Sequence, residues 1–131
     1  MSAFTEQEIA YLTDHRLGRL ATISATGELH VVPAGYTFNA ELDTIDVGGW
    51  NMSRSKKFRD AHERPVAFVV DDTEIPGHPR GLEVRGRGES IRLRDDDSPE
   101  LGAAIIRVHP TRIVSWGIET SPREPNSRRV R

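Results

Sequence analysis

Cysteine is absent from the 131 residues, which removes disulfides, thiolate metal ligands and cysteine nucleophiles together. A chain without disulfides has no need of an oxidising compartment. Long apolar runs are missing too, since no stretch approaches the roughly 20 apolar residues of a spanning helix. The opening MSAFTEQEIAYL has neither a basic start nor a continuous apolar run, so it reads as neither signal peptide nor anchor. The expectation is a cytoplasmic protein with no membrane span. Nor is there a surplus of one charge: the formal net charge is −2, which does not suit a long polyanion such as nucleic acid.

Familiar catalytic patterns are lacking as well. His15, His30, His62, His78 and His109 form no HExxH pair, so no metal site is expected. No serine lies in a G-x-S-x-G elbow, and there is no Walker loop or G-x-G-x-x-G at a strand-to-helix turn. Asp95, Asp96 and Asp97 lack the spacing and central glycine of a calcium loop and read as solvated. Arg85-Gly86-Arg87-Gly88 has the composition of an RNA-binding repeat but the alternation of a strand.

What is present centres on residues 51–70, NMSRSKKFRDAHERPVAFVV. A polar turn opens a short basic helix that runs into a strand. Arg54, Lys56, Lys57, Arg59 and Arg64 against Asp60 and Glu63 leave this stretch locally +3. Cations at a helix start are unfavourable unless an anion arrives, and free amides there already favour one. The stretch therefore reads as a phosphate seat for a small ligand. Phe58, Ala61 and His62 are expected to face inward, and residues 66–70 read as a strand buried on both faces.

Elsewhere the chain promises short strands and turns. Thr5 and Glu8 spell a capping box for a first helix, with Phe4 and Ile9 as its staple. Residues 17–24 and 29–38 read as strands around a Gly27-containing hairpin, and Pro33 puts the second at an edge or a bulge. Residues 44–47 form a third strand ending at Gly48-Gly49. Residues 82–93 alternate, with a parity shift that implies a bulge near Glu89-Ser90. Residues 103–108 and 111–118 read as two strands around His109-Pro110. Residues 1–120 thus form one domain, and 121–131 a basic, flexible tail. An all-β dominated fold of six to seven strands and two short helices leaves too little helix for β-α units and favours a small closed barrel. Its interior is filled by its own side chains, so a ligand must lie outside, where two subunits of a homodimer meet.

Taken in order, Leu17-Gly18-Arg19-Leu20-Ala21-Thr22-Ile23, His30-Val31-Val32-Pro33, Gly48-Gly49, Ser55-Lys56-Lys57-Phe58-Arg59-Asp60, Pro65-Val66-Ala67-Phe68, residues 79–86 and residues 110–118 resemble the pyridoxamine 5'-phosphate oxidase-like superfamily of split β-barrels. They look most like its short, actinobacterial-type branch that uses the deazaflavin F420. The resemblance covers residues 4–119. It implies a homodimer with two cofactor sites at the interface, the phosphate held by Ser55, Lys56 and Lys57 with Arg54 and Arg59 beside them. It places the ring along Pro33, Ala34 and Gly35, near Gly49, Trp50 and Asn51. Arg80 and Arg85 are candidates for the coenzyme's acidic tail. Trp50 and Trp116 read as core or dimer anchors, with ring contact also open to Trp50. The absence of an extended C-terminal substrate segment argues against true pyridoxamine phosphate oxidation.

With no protein nucleophile or metal cluster in the sequence, the chemistry falls to the cofactor. The resemblance implies an F420-dependent oxidoreductase that moves a hydride between the deazaflavin and an electron-poor conjugated small molecule, with Tyr36 or solvent as proton donor. The alternatives are an FMN-binding reductase or oxidase, a non-catalytic F420 carrier, and a dimeric interaction domain with a vestigial pocket.

Overall fold

Thr5 and Glu8 close the expected capping box: the Thr5 hydroxyl accepts from the Glu8 amide and the Glu8 carboxylate from the Thr5 amide. The helix they start is α1 (Glu6–Asp14). The computed structural model describes residues 1–130; Arg131, the last residue of the predicted tail, lies outside the described residues.

After α1 come β1 (Leu17–Ile23), β2 (Leu29–Asn39) and β3 (Thr44–Val47), then a 3-10 turn (Met52–Arg54) and α2 (Lys56–Ala61). The chain continues through β4 (Pro65–Asp72), β5 (Arg80–Arg92), β6 (Ala104–Trp116) and β7 (Asn126–Arg129). All seven strands pair antiparallel in the order β3-β2-β1-β4-β5-β6-β7. A further pairing of β3 with β6 closes the first six into a barrel.

The barrel splits because β6 changes partner along its length. Ile106 to Val108 pair with β3, and Arg112 to Ser115 pair with β7. Pro110 stands between, where it offers no N–H to a ladder. Opposite it the register of β5 shifts between Arg85 and Gly86. A Cβ on Gly86 would stand 2.1 Å from the His109 carbonyl oxygen, so only glycine lets the strands close at this bulge.

Alternate residues fill the interior. Leu20, Ile45, Val47, Phe68, Val70, Leu82, Val84, Ile106, Val108 and Ile113 are all buried there. Gly18 makes room for Phe68, whose ring atoms would lie 2.4 Å from an added Cβ. Phe58 and Ala61 bring α2 against the same core.

Several expectations change. The bulge lies at Arg85/Gly86 rather than Glu89-Ser90, because Pro110, not the apolar parity, decides where the ladder breaks. Residues 103–108 and 111–118 belong to one bent strand. His62 caps α2 from an exposed position, its Nδ1 accepting from the Ser90 amide. In β4, Val66, Phe68 and Val70 point inward while Ala67 and Val69 lie half-buried on the outer face. Pro33 sits on an edge without a bulge: β2 pairs with β1 in unbroken register, and its other side meets β3 only from Tyr36 onward. The expected flexible tail supplies β7, since Arg128 finds a buried partner in Glu8 and Asn126 to Arg129 find an open edge on β6.

Candidate functional site

The basic turn folds into a pocket of about 180 Å³ lined by Thr22, His30, Val32, Ser55, Lys56, Lys57 and Asp60. Strand register explains half of it: Thr22 stands opposite His30 on the β1–β2 ladder, so both face α2. Ser55 caps α2, its Oγ–H donating to the Met52 carbonyl at 2.6 Å while its oxygen accepts from the Phe58 amide. Lys56 reaches forward one turn to Asp60 at 2.7 Å, and that hydrogen bond holds the Asp60 carboxyl below its ordinary value. Lys57 and His30 take part in no hydrogen bond or ion pair among the described residues, and Thr22 and Ser55 bring hydroxyls to the same pocket. A pocket with an unpaired ammonium, an imidazole and a hydroxyl fits a phosphate group. Arg54 and Arg59 flank it, the Arg59 guanidinium donating to the Arg54 carbonyl.

A second, larger cleft of about 720 Å³ lies between the end of α1, the outer side of β2 and β3, and the turn before β6. Leu12, Phe38, Leu101 and Ile105 supply its apolar walls, while Gly35, Gly48 and Gly49 leave bare backbone. Asp46 contributes a carboxylate that Arg107 grips with two hydrogen bonds of 3.0 and 3.1 Å, aided by Asn39 and Thr44. Burial raises this carboxyl, yet those bonds outweigh it and leave Asp46 below its usual range. Asp46 and Arg107 therefore form a neutral pair at the cleft wall.

Tyr36 also lines this cleft, but its hydroxyl is buried and donates to the Leu12 carbonyl at 2.7 Å. Burial pushes the phenol well above its ordinary value. The Tyr36 proton is therefore engaged in holding α1.

The remaining predicted residues scatter. Pro33 faces outward, Ala34 is buried, and Gly35 reaches the larger cleft. Gly49 lines the same cleft, Trp50 is 67% exposed, and Asn51 takes a left-handed conformation with its amide donating to the Pro99 carbonyl. Arg80 lies at the α1 end of the barrel, bound to Asp72 at 2.9 Å and stacked over Tyr11. Asp72 also accepts from Tyr11 and lies 3.0 Å from His15 Nε2. Burial raises its carboxyl, but the Glu74 amide, Tyr11 and Arg80 prevail and hold it at about 2. Arg85 pairs with Glu83 on the outer face of β5. Within one chain, neither Arg80 nor Arg85 joins the pocket at Ser55. Sequence reasoning passed over Thr22, Arg16 and Leu101; His30 carried a signal, through its parity with Val32 on a strand beside the basic turn, and Gly48 through its pairing with Gly49.

Searched against family models, the sequence matches none. It is 42% identical over 120 residues to the 5a,11a-dehydrotetracycline/5a,11a-dehydrooxytetracycline reductase of Streptomyces rimosus, a match covering 88% of this chain and 84% of that protein. Among solved structures, the FAD binding protein from Mycobacterium smegmatis superposes with a TM-score of 0.64 at 22% identity, covering 86% of this chain and 93% of that one. An F420 reductase superposes with a TM-score of 0.57 at 23% identity, over 79% and 93%. The structures share the split barrel, and the Streptomyces rimosus relative shares sequence along nearly all of it. The chain thus belongs to one family with the Streptomyces rimosus reductase, within the pyridoxamine 5'-phosphate oxidase-like split β-barrel superfamily.

Proposed function

We propose that the protein is an F420-dependent reductase of an electron-poor conjugated small molecule, acting as a cytoplasmic homodimer. The observation that carries this reading is the likeness to the Streptomyces rimosus dehydrotetracycline reductase along most of both chains. Among the described residues, no helix is long and apolar enough to cross a membrane.

The pocket of Ser55, Lys56 and Lys57 would hold the cofactor phosphate, with His30 as a further donor. Lys57 is free to meet it directly, whereas Lys56 would exchange or share its Asp60 partner. Bound there, reduced F420 would supply a hydride to an electron-poor double bond. The chain would fix the phosphate and leave the accompanying proton to solvent, because the Tyr36 hydroxyl is committed to Leu12.

The dimer rests on the outer face of β1, β2 and β4. Leu29 is 78% exposed and Val31 67% exposed there, and Ala21, Ile23, Ala67 and Val69 share that side of the ladder. Apolar residues on both faces of β4 fit a strand whose outer face is covered by a second copy.

Mixing the protein anaerobically with reduced F420 and a panel of conjugated acceptors tests the reading. Return of the oxidised cofactor's absorbance together with acceptor reduction is expected. Bound cofactor with no turnover across the panel would instead make the protein a carrier.

A further inference from the structure

Eight of the eleven glycines have a local reason to be glycine. A Cβ on Gly18, Gly81, Gly86 or Gly88 would come within 3.0 Å of a neighbour, and Gly27, Gly77, Gly102 and Gly117 have positive φ. The three that remain are Gly35, Gly48 and Gly49, and all three line the larger cleft. An added Cβ at Gly48 would meet nothing within 4 Å, at Gly35 only the Arg16 carbonyl at 3.7 Å, and at Gly49 the flexible end of Met52 at 3.4 Å. Neither backbone strain nor packing excludes a side chain at these positions. The space above them stands open.

We propose that this bare floor is the acceptor site, shaped for a rigid, planar, polycyclic molecule that carries an acidic oxygen. The inference rests on the reductase reading and extends it to the class of acceptor. The Gly48 amide donates to the Gly35 carbonyl at 3.0 Å, so the end of β3 is tied to the middle of β2 in one surface. A flat ring system can lie on it at van der Waals distance over its whole area, which a side chain would prevent. Leu12 and Phe38 flank the floor on one side and Leu101 and Ile105 come from the turn before β6. Leu101 is 75% exposed, an apolar side chain at a cleft mouth that gains cover when a ring enters. The cleft volume of about 720 Å³ falls within the usual range for drug-sized ligands, about 300 to 1,000 Å³.

Charge at the cleft selects the acidic oxygen. Asp46 is neutralised by Arg107, and His15 Nε2 meets Asp72. Arg16 lines the cleft, is exposed, and joins no ion pair among the described residues. Its guanidinium is the group left to meet an enolate, phenolate or carboxylate.

The test uses the full-length protein with an anthracene carboxylate as planar anionic probe, the corresponding anthracene alcohol as neutral control, and F420. Gly48→Ala and Gly48→Val are expected to weaken binding of both anthracenes in graded fashion, by roughly tenfold or more for valine since it blocks the ring plane. F420 affinity, melting temperature and oligomeric state are expected to hold. Arg16→Ala is expected to weaken the carboxylate about fivefold or more and the alcohol hardly at all, as loss of one charge-assisted contact requires. Loss of F420 affinity in Gly48→Val would give the floor to the cofactor and overturn the proposal. A change of oligomeric state would give it to the partner copy, with the same consequence, and unchanged anthracene binding would also overturn it. Should wild-type protein bind anthracene and Gly48→Val not, while F420 fails to bind wild type, the cleft assignment is supported and the reductase reading alone falls.

Discussion

Arg128 on the last strand donates to the buried carboxylate of Glu8 on the first helix, with 3.0 Å between Nη1 and Oε2. Ser115 donates to the same carboxylate at 2.6 Å, and the Arg128 guanidinium also holds the Ala3 carbonyl. The two ends of the chain are locked together through one buried acid. Burial raises the Glu8 carboxyl, but Arg128, Ser115 and the Thr5 amide outweigh it and keep it below its ordinary value.

A group held low in the native state stabilises the fold above its unfolded pKa, about 4.3 for glutamate, and that contribution is lost as pH falls through the lowered native value. Arg128→Ala removes the strongest of the lowering contacts and leaves burial dominant. The variant is expected to lose about 3 kcal/mol at neutral pH, the cost of a stranded buried charge. That loss is expected to shrink toward pH 4 as Glu8 takes up a proton, and Glu8→Gln in the same background should recover part of it. Urea melts at the two pH values check this; a penalty independent of pH would contradict it.

Replacing Lys56 and Lys57 together by alanine is expected to weaken F420 binding by about 2 to 4 kcal/mol, the loss of one or two charge-assisted contacts. Fold stability should move by no more than about 0.5 kcal/mol, since Lys56 meets only the surface partner Asp60 and Lys57 none. Calorimetric titration paired with a thermal melt separates the two effects. Undiminished affinity would remove the phosphate assignment.

Tyr36→Phe is expected to cost about 1 kcal/mol of stability through the lost bond to Leu12, with turnover reduced less than tenfold. Steady-state kinetics at saturating acceptor are the check. A fall of a hundredfold or more with an unchanged melting temperature would return Tyr36 to the role of proton donor.

On the outer face of the barrel, Leu29→Asp with Val31→Asp is expected to yield a folded monomer, detected by light scattering and circular dichroism, because two charges would be buried unpaired in the proposed interface. A monomeric wild-type protein would contradict the dimer outright.

Local chemistry was legible wherever a short stretch determined its own conformation. Thr5 and Glu8 announce their capping box, and Gly27 announces its hairpin; both are settled within four residues. What depended on a distant partner was not. Nothing near Arg128 points to Glu8, so the last strand looks like a tail. The bulge follows Pro110 on the neighbouring strand rather than any residue of β5 itself. The candidate site divides in the same way. Ser55, Lys56 and Lys57 are adjacent in sequence and were readable as a group, whereas Thr22 and His30 reach them only through strand register. The Gly48-Gly49 pair reads from the sequence as the end of a strand, and its bareness acquires meaning only beside Leu12, Phe38 and Leu101.

The most direct measurement is titration of the purified protein with F420 and, separately, FMN, following the fluorescence of exposed Trp50 and fixing stoichiometry by calorimetry. The account predicts selective F420 binding at one site per chain, lost in the Lys56→Ala/Lys57→Ala variant. Preference for FMN, or saturable binding of neither, would contradict it.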